Sequence, residues 1–341
     1  MTEFLFSYGL FIAKIITGLI ALVFAVAIIS SGRKKEYDTE LKITNLNKKY
    51  QSIKDKVTGS ILDKKEFKQH TKDLAKKAKA KEKSKDKDKP KSKLFVLQFD
   101  GDIRATEVET MRDEITAVLS VAKPQDEVLL KLDNSGGMVH EHGLAASQLQ
   151  RIKNAKLTFT VVVDRVAASG GYMMACVADK VIAAPFAILG SIGVLAQIPN
   201  FHRLMDKAGI DFEQHTAGEY KRTVTMFGKN TPKERKKLKL DLQETHALFR
   251  EFVSDNRPKL DIDAVATGEH WYGVQALELN LIDEIKTSDE LLIESLEYYD
   301  IFEIKMEVKK SFQDKFLGGL FASINKFSNK LASEQSRSKY H

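Results

Sequence analysis

The middle of the chain alternates short apolar runs with segments of helical periodicity. Residues 94–99, 127–132 and 157–163 are runs with the length and continuity of strands that are buried on both faces. Residues 105–121 and 139–153 carry apolar side chains at the spacing of amphipathic helices. Strands that alternate with helices pair in parallel, so the pattern predicts an α/β domain with a largely parallel, covered sheet. A chain of 341 residues that is 43% hydrophobic can bury such a core.

Three later segments extend this domain. Residues 181–198 form a second apolar stretch, 232–252 have the pattern of a long helix, and 288–298 that of a closing helix. The single cysteine, Cys176, excludes an intrachain disulfide and a multi-cysteine zinc cluster. Its surroundings, Met-Met-Ala-Cys-Val-Ala, indicate an inert core residue and not a nucleophile.

The N-terminus has the composition of a membrane anchor. Tyr8 to Ile29 is an apolar run of 22 residues, interrupted by Lys14 and a few small polar residues, and a bilayer needs about 20. A cleaved signal peptide is the alternative, but it requires a basic start and a small-x-small cleavage site, whereas this chain starts Met-Thr-Glu. We therefore expect residues 1–35 to be a retained transmembrane anchor.

Residues 36–93 are polar, charged and poor in aromatic residues, which predicts a linker between the anchor and the folded domain. The part from 72 to 93 has eleven lysines and four acidic residues, which accounts for the whole formal net charge of +7. A solvated tether is the first interpretation of this run, and adhesion to anionic lipid headgroups is the second. Because the rest of the chain is neutral overall, it lacks the basic footprint of a nucleic-acid-binding protein.

A serine followed by two glycines marks a candidate nucleophile. The segment A-A-S-G-G-Y at 167–172 follows the strand 157–163 and precedes the helical run 173–178. A serine on a strand-to-helix turn has an exposed hydroxyl, and the helix N-terminus stabilises developing negative charge. The pattern departs from G-x-S-x-G because Ala167 occupies the first glycine position. A helix-capping serine at Ser169 is the alternative interpretation.

A second glycine pair, Gly136-Gly137, follows the strand 127–132, so both loops are expected at the carboxyl edge of the sheet. Their backbone amides, together with that of Gly170, would then form an oxyanion hole. A plain strand-to-helix turn is the alternative. The base is not determined by the residues themselves, because it is either a histidine or a lysine made neutral by burial. His140 and His142 are candidates for the base only because they closely follow the glycine pair in the sequence. They do not form a site together, because positions two apart do not share a helix face.

Several sequence blocks resemble the signal peptide peptidase A family. They are A-A-S-G-G-Y-M-M-A at 167–175, L-G-S-I-G-V at 189–194, T-A-G-E-Y-K-R-T at 216–223 and A-T-G-E-H-W-Y-G at 266–273. The blocks occur in order over residues 94 to about 290. The resemblance implies a Clp/crotonase-like fold of stacked β-β-α units for residues 94–306, a homo-oligomeric assembly, peptide or protein substrates, and no cofactor or metal.

Carried over residue by residue, the resemblance implies Ser169 as nucleophile, Lys221 as general base and Ser191 as the residue that orients the lysine. It places Gly136 and Gly137 in the oxyanion loop. Burial among apolar groups is expected to keep the Lys221 amine neutral, so that it can accept the Ser169 proton. The family has S-P-G-G where this chain has Asn134-Ser135 before the glycines. Loss of the proline removes a preset φ and loosens the loop.

The resulting expectation is a serine endopeptidase of the bacterial inner membrane that cleaves membrane or signal-peptide-derived peptides. An inactive membrane scaffold of the same fold and a crotonase-like acyl-CoA enzyme remain alternatives. The basic run 33–35 after the anchor favours a cytoplasmic catalytic domain, whereas the family resemblance implies the periplasmic side. Residues 307–341 form a basic C-terminal tail in which 311–331 predicts an amphipathic helix, either a subunit contact or a membrane-surface element.

Overall fold

The computed structural model describes residues 39–63 and 91–308, together with the separate positions 6–11, 14–15, 17–18, 65–66, 69, 72 and 76. Backbone contacts divide the chain into Leu41–Met306 and a second unit, Met1–Glu40 with Glu307–His341. The regular elements, in chain order, are β1 Thr39–Asn45, α1 Leu46–Ile61, β2 Ser92–Gly101, α2 Val108–Val121, β3 Glu127–Asn134, α3 Val139–Asn154, β4 Thr158–Val163, β5 Val166–Ala168, α4 Gly170–Ala175, β6 Lys180–Ala183, β7 Ile188–Gly190, α5 His202–Lys207, α6 Pro232–Asn256, α7 Ile262–Val265, β8 His270–Tyr272, α8 Gly273–Glu278, β9 Glu284–Ile285, α9 Ser288–Ser295 and β10 Tyr299–Val308.

One mixed sheet organises the domain, with the strand order β1-β10-β2-β3-β4-β6-β9. The pairs from β10 through to β9 are parallel, and β5 continues the sheet by pairing in parallel with β3 and β7. The β7–β8 pair is antiparallel. The predicted largely parallel α/β sheet is therefore confirmed, and the predicted strands and helices of residues 94–163 lie within two or three residues of the observed ones.

Both faces of the sheet are covered, which explains why its central strands are mostly apolar instead of alternating apolar and polar residues. Phe95, Leu97 and Phe99 of β2 enter the main core, which also contains the apolar faces of α2, α3 and α4. The intervening Leu94 and Val96 enter a second core on the other face. That second core also includes residues from α1 and α9. Successive strand residues thus bury their side chains on opposite faces.

Part of the segment expected to be a linker instead folds with this domain. Residues 39–61 form β1 and α1, and Leu46 is buried in the second core with Tyr50 packed beside it. The Asn47 side chain donates to the carbonyl of Tyr299 at 3.0 Å and accepts from the N–H of Ile301 at 2.7 Å. Leu46 and Tyr50 are four residues apart and therefore share one helix face. Because the surrounding sequence is highly charged, this short apolar stripe could not be recognised from the sequence.

The long helix α6 begins at a capping box, in which Thr231 accepts from the N–H of Glu234 and the Glu234 carboxylate accepts from the N–H of Thr231 at 2.6 Å. Pro232 occupies the first turn, where its missing N–H costs nothing. Phe249 and Val253 are its buried residues. This helix packs against the main core and supplies one wall of the site described below.

Two expectations fall largely on residues outside the described ones. Of the expected anchor Tyr8–Ile29, the structure describes only 8–11, 14–15 and 17–18. The expected amphipathic helix at 311–331 lies wholly outside the described part. Across the residues that are described, no helix has both the length and the apolar character to cross a membrane.

Candidate active site

Ser169 lies on a strained turn between β5 and α4. Its φ is +52° and its ψ is −119°, a backbone conformation that residues with a side chain rarely adopt. The turn is held by two hydrogen bonds, from the Ser169 N–H to the Gly190 carbonyl at 2.8 Å and from the Met173 N–H to the Ser169 carbonyl at 3.0 Å. The predicted strand-to-helix turn is present, and its strain is of the kind found where a nucleophile is presented.

The loop that contains Gly136 and Gly137 lies next to this turn, because β3 and β5 are parallel neighbours with Asn134 paired to Ala167. Gly136 has a φ of +89°, and a Cβ at this position would lie 2.7 Å from the Ser169 Cβ and 2.9 Å from the Gly170 N. The fold thus requires a glycine there. Gly137 is equally constrained, since its Cβ would lie 2.0 Å from the Ile103 carbonyl oxygen.

Ser191 is the first residue after β7. The last residue of that strand, Gly190, accepts the hydrogen bond from the Ser169 N–H. Ala168 and Gly190 are paired at the ends of the parallel strands β5 and β7, and Ser169 and Ser191 directly follow these two residues. Ser191 also has a positive φ of +53°, and its N–H donates to the Glu269 carbonyl at 2.6 Å. Trp271 covers Gly190, because a Cβ there would lie 2.7 Å from the indole ring. The indole of Trp271 therefore packs over the end of β7.

Lys221 stands apart from this group. It lies in the irregular segment between α5 and α6, its side chain is exposed, and its backbone N–H donates to the Gly218 carbonyl at 3.2 Å. In the described part of the chain, no hydrogen bond joins its ammonium group to Ser169 or Ser191. The burial expected from the resemblance is therefore not provided by the chain on its own. The adjoining Tyr220 and Arg222 are also exposed.

A narrow cleft opens beside the Ser169 turn. It is lined by the turn itself and the glycine loop on one side, and by Gly193, Thr245 and Phe249 on the other. The last two residues belong to α6. The cleft places apolar and backbone surface next to the candidate nucleophile.

Beneath the two loops lie a buried asparagine and a buried histidine that the sequence patterns did not connect. Asn134 ends β3 and His142 lies in the first turns of α3, with 1% and 0% of their surfaces exposed. The Asn134 Oδ1 accepts from the Gly136 N–H at 2.7 Å and lies 3.0 Å from the His142 Nε2. His140, by contrast, is exposed and lies 3.6 Å from Glu141. The available signal was a polar residue ending a buried strand just before a glycine pair.

Cys176 is fully buried, and burial raises the pKa of its thiol to about 12. The thiol donates to the Met173 carbonyl at 3.2 Å. It therefore stays protonated and inert, as the sequence predicted. Among the residues that the structure describes, no group of three or more histidine, cysteine or acidic side chains is arranged to hold a metal ion.

Comparison with known proteins places the chain in a family. Residues 3–149 match the family described as "Peptidase family S49 N-terminal", and residues 151–298 match "Peptidase family S49". The chain belongs to peptidase family S49 and is a serine-type peptidase.

Within this family the chain is similar to proteins named "Probable protease SohB". It is 47% identical over 327 residues to the one from Haemophilus influenzae, covering 93% of each chain. It is also 47% identical over 325 residues to the one from Buchnera aphidicola subsp. Acyrthosiphon pisum, covering 94% of this chain and 95% of the relative. A solved mutant of the membrane-bound stomatin-specific protease 1510-N is 16% identical with a TM-score of 0.39, covering 61% of this chain and 86% of that one.

Proposed function

We propose that this chain is a membrane-anchored bacterial endopeptidase that hydrolyses peptides derived from membrane proteins or signal peptides, with Ser169 as nucleophile and Lys221 as base. The observation that carries the proposal is the turn at Ser169. A serine on a backbone of positive φ lies against Gly136 and Gly170, so the hydroxyl and the amides that an acyl transfer needs share one place. The Clp/crotonase-like fold of stacked β-β-α units belongs to the same proposal.

In the proposed reaction, the Ser169 hydroxyl attacks a peptide carbonyl while its proton passes to the neutral Lys221 amine. The N–H groups of Gly170 and Gly137 stabilise the oxyanion, because the N–H of Gly136 already donates to the Asn134 Oδ1. Lys221 then gives the proton to the leaving amine, and an acyl-enzyme remains. Water, deprotonated by Lys221, attacks the acyl group and releases it. A lysine bound to Ser191 would reach the Ser169 hydroxyl, because the two serines follow paired residues of adjacent strands.

This role requires Lys221 to be buried, because burial disfavours the charged form of an amine. The segment that carries it has large apolar side chains in exposed positions, among them Ile210, Phe212, Tyr220 and Phe227. Exposed apolar surface of this extent is typical of association surfaces. It supports the expected homo-oligomer, in which this segment is covered.

The experiment is hydrolysis of a fluorogenic peptide by the full chain in detergent, together with labelling by a fluorophosphonate probe. Ser169→Ala and Lys221→Ala should each lower kcat by at least about 10³-fold. Lys229→Ala is the matched control, because Lys229 is an exposed lysine of the same segment, and it should retain wild-type activity. Full activity in either the Ser169 or the Lys221 variant would refute the dyad.

An inactive membrane scaffold is the second candidate, and the exposure of Lys221 is the observation that favours it. The Asn134-Ser135 sequence before the glycines points the same way. A scaffold would show no peptide hydrolysis and no fluorophosphonate label on Ser169 in the wild-type chain. Stoichiometric labelling of Ser169 excludes it.

The membrane assignment of the proposal rests on the apolar run Tyr8–Ile29. The side of the membrane determines which peptides the site can meet. Digestion of spheroplasts with an added protease decides it: a periplasmic domain is degraded in intact spheroplasts, whereas a cytoplasmic domain is degraded only after lysis.

A further inference from the structure

Asn134 and His142 contact both loops of the candidate site from below. The Asn134 Oδ1 accepts from the Gly136 N–H at 2.7 Å, which ties the strand end to the glycine loop. The His142 ring lies against the other loop, since a Cβ on Gly170 would lie 2.4 Å from it. The backbone of Asn134 contacts that loop too, because a Cβ on Gly171 would lie 2.1 Å from the Asn134 carbonyl oxygen.

The orientation of the Asn134 carboxamide is set by its oxygen. Its Nδ2 is buried and has no hydrogen-bond partner among the described residues, a costly state for a buried donor. Turning the carboxamide over would place this NH₂ group against the Gly136 N–H, donor facing donor. The observed orientation therefore keeps the hydrogen bond from the Gly136 N–H and leaves the Nδ2 donor without a partner among the described residues.

His142 supports this orientation from α3. Its Nε2 lies 3.0 Å from the Asn134 Oδ1 and its Nδ1 lies 2.9 Å from the Met138 carbonyl oxygen. Both neighbours are acceptors. A neutral ring donates to one of them in either tautomer, and a doubly protonated ring donates to both. The histidine is also held by its backbone, whose N–H donates to the Met138 carbonyl at 3.1 Å.

We propose that Asn134, supported by His142, is a positioning residue for the peptidase reaction: it fixes the Gly136 amide, and with it the oxyanion-binding loop, against the Ser169 turn. The inference rests on the proposed function in taking this loop as the oxyanion site. It also supplies what the loop lacks in local rigidity. Where the family has a serine and a proline before the glycines, this chain holds the loop by a buried side-chain bond from Asn134.

The test compares Asn134→Leu and Asn134→Asp in the full chain. Leucine has nearly the shape of asparagine and removes the acceptor, whereas aspartate keeps an oxygen for Gly136. Loss of one oxyanion donor lowers kcat by about 10²–10³-fold. Displacement of the loop in Asn134→Leu should therefore lower kcat by about 10- to 100-fold with KM changed less than about threefold. Asn134→Asp should retain kcat within about fivefold.

A second measurement does not depend on turnover. Hydrogen–deuterium exchange of the backbone across residues 133–139 should be faster in Asn134→Leu than in the wild-type chain, because the Gly136 N–H loses its acceptor, and it should return toward wild-type in Asn134→Asp. Leu292→Ala, in the core on the other face of the sheet, is the control for destabilisation alone. It should lower the melting temperature without changing kcat or this exchange.

The outcomes separate the two proposals. If the wild-type chain hydrolyses peptide and Ser169→Ala does not, but Asn134→Leu keeps wild-type kcat and exchange, the positioning role is refuted and the proposed function stands. Equal losses of kcat in Asn134→Leu and Leu292→Ala also refute it. If wild type and Ser169→Ala are equally inactive, the proposed function fails, and slow exchange retained in Asn134→Leu would refute the positioning of Gly136 as well.

Discussion

A buried carboxyl in α2 makes the stability of this protein depend on pH. Glu114 has 4% of its surface exposed, and its Oε1 accepts from the Met306 N–H of β10 at 2.7 Å. Burial disfavours the charged form more than this hydrogen bond favours it, and the carboxylate of Glu107 adds repulsion. Together these effects raise the pKa of Glu114 from 4.5 to about 7.

The direction of the effect follows from proton binding. The folded chain keeps this proton up to about pH 7, whereas the unfolded chain releases it near pH 4.5. The folded state therefore binds more protons in between, and stability falls as the pH rises through this window. A carboxyl pKa raised from 4.5 to about 7 corresponds to about 3 kcal/mol of stability lost above pH 7. For a domain of this size, that is a change of about 6–12 °C in Tm.

Glu114→Gln keeps an oxygen for the Met306 N–H and removes the titration. Relative to wild type, the variant should therefore gain about 3 kcal/mol between pH 4.5 and pH 8. Thermal unfolding of the full chain in detergent, followed by circular dichroism at both pH values, measures this gain. Glu109→Gln, at an exposed position of the same helix, is the control and should show little pH-dependent difference. A difference between Glu114→Gln and wild type that is the same at both pH values would refute the assignment.

Two further outcomes are expected. Gly136→Ala should lower kcat by about 100-fold, because its Cβ would lie 2.7 Å from the Ser169 Cβ on a backbone of positive φ. The control is Gly143→Ala in α3, where a Cβ meets open space; it should leave kcat unchanged and raise stability by up to about 1 kcal/mol. Equal kcat in the two variants would contradict the close contact. Cys176 should resist iodoacetamide in the folded chain at pH 8 and react in guanidinium chloride, since burial raises the pKa of its thiol to about 12; mass spectrometry showing rapid native labelling would contradict its burial.

Local sequence patterns were sufficient for the strands β2, β3 and β4 and for the helices α2 and α3. The runs that became β2, β3 and β4 are mostly apolar because most of their residues are buried on one face or the other, so their assignment needed no partner. The turn at Ser169 was also predictable, since a serine followed by two glycines between a strand and a helix is a local feature. The same holds for Cys176, whose neighbours are all small or apolar.

The membership of the domain depended on long-range contacts. The charge of residues 36–93 predicts a linker, yet α1 packs Leu46 into the second core and Asn47 against β10, more than 250 residues away. A stripe of two apolar residues is too short to be recognised without the surface that it covers.

What the sequence determined by itself is a largely parallel α/β domain with a serine on a strand-to-helix turn and a glycine pair, because these features depend on a few consecutive residues. Only the tertiary structure decided how they meet. The pairing of Asn134 with Ala167 brings Gly136 against Ser169, and it buries Asn134 and His142 beneath both loops. The exposure of Lys221 could likewise not be predicted from the local sequence, since burial depends on what packs over a residue and not on its neighbours in the chain.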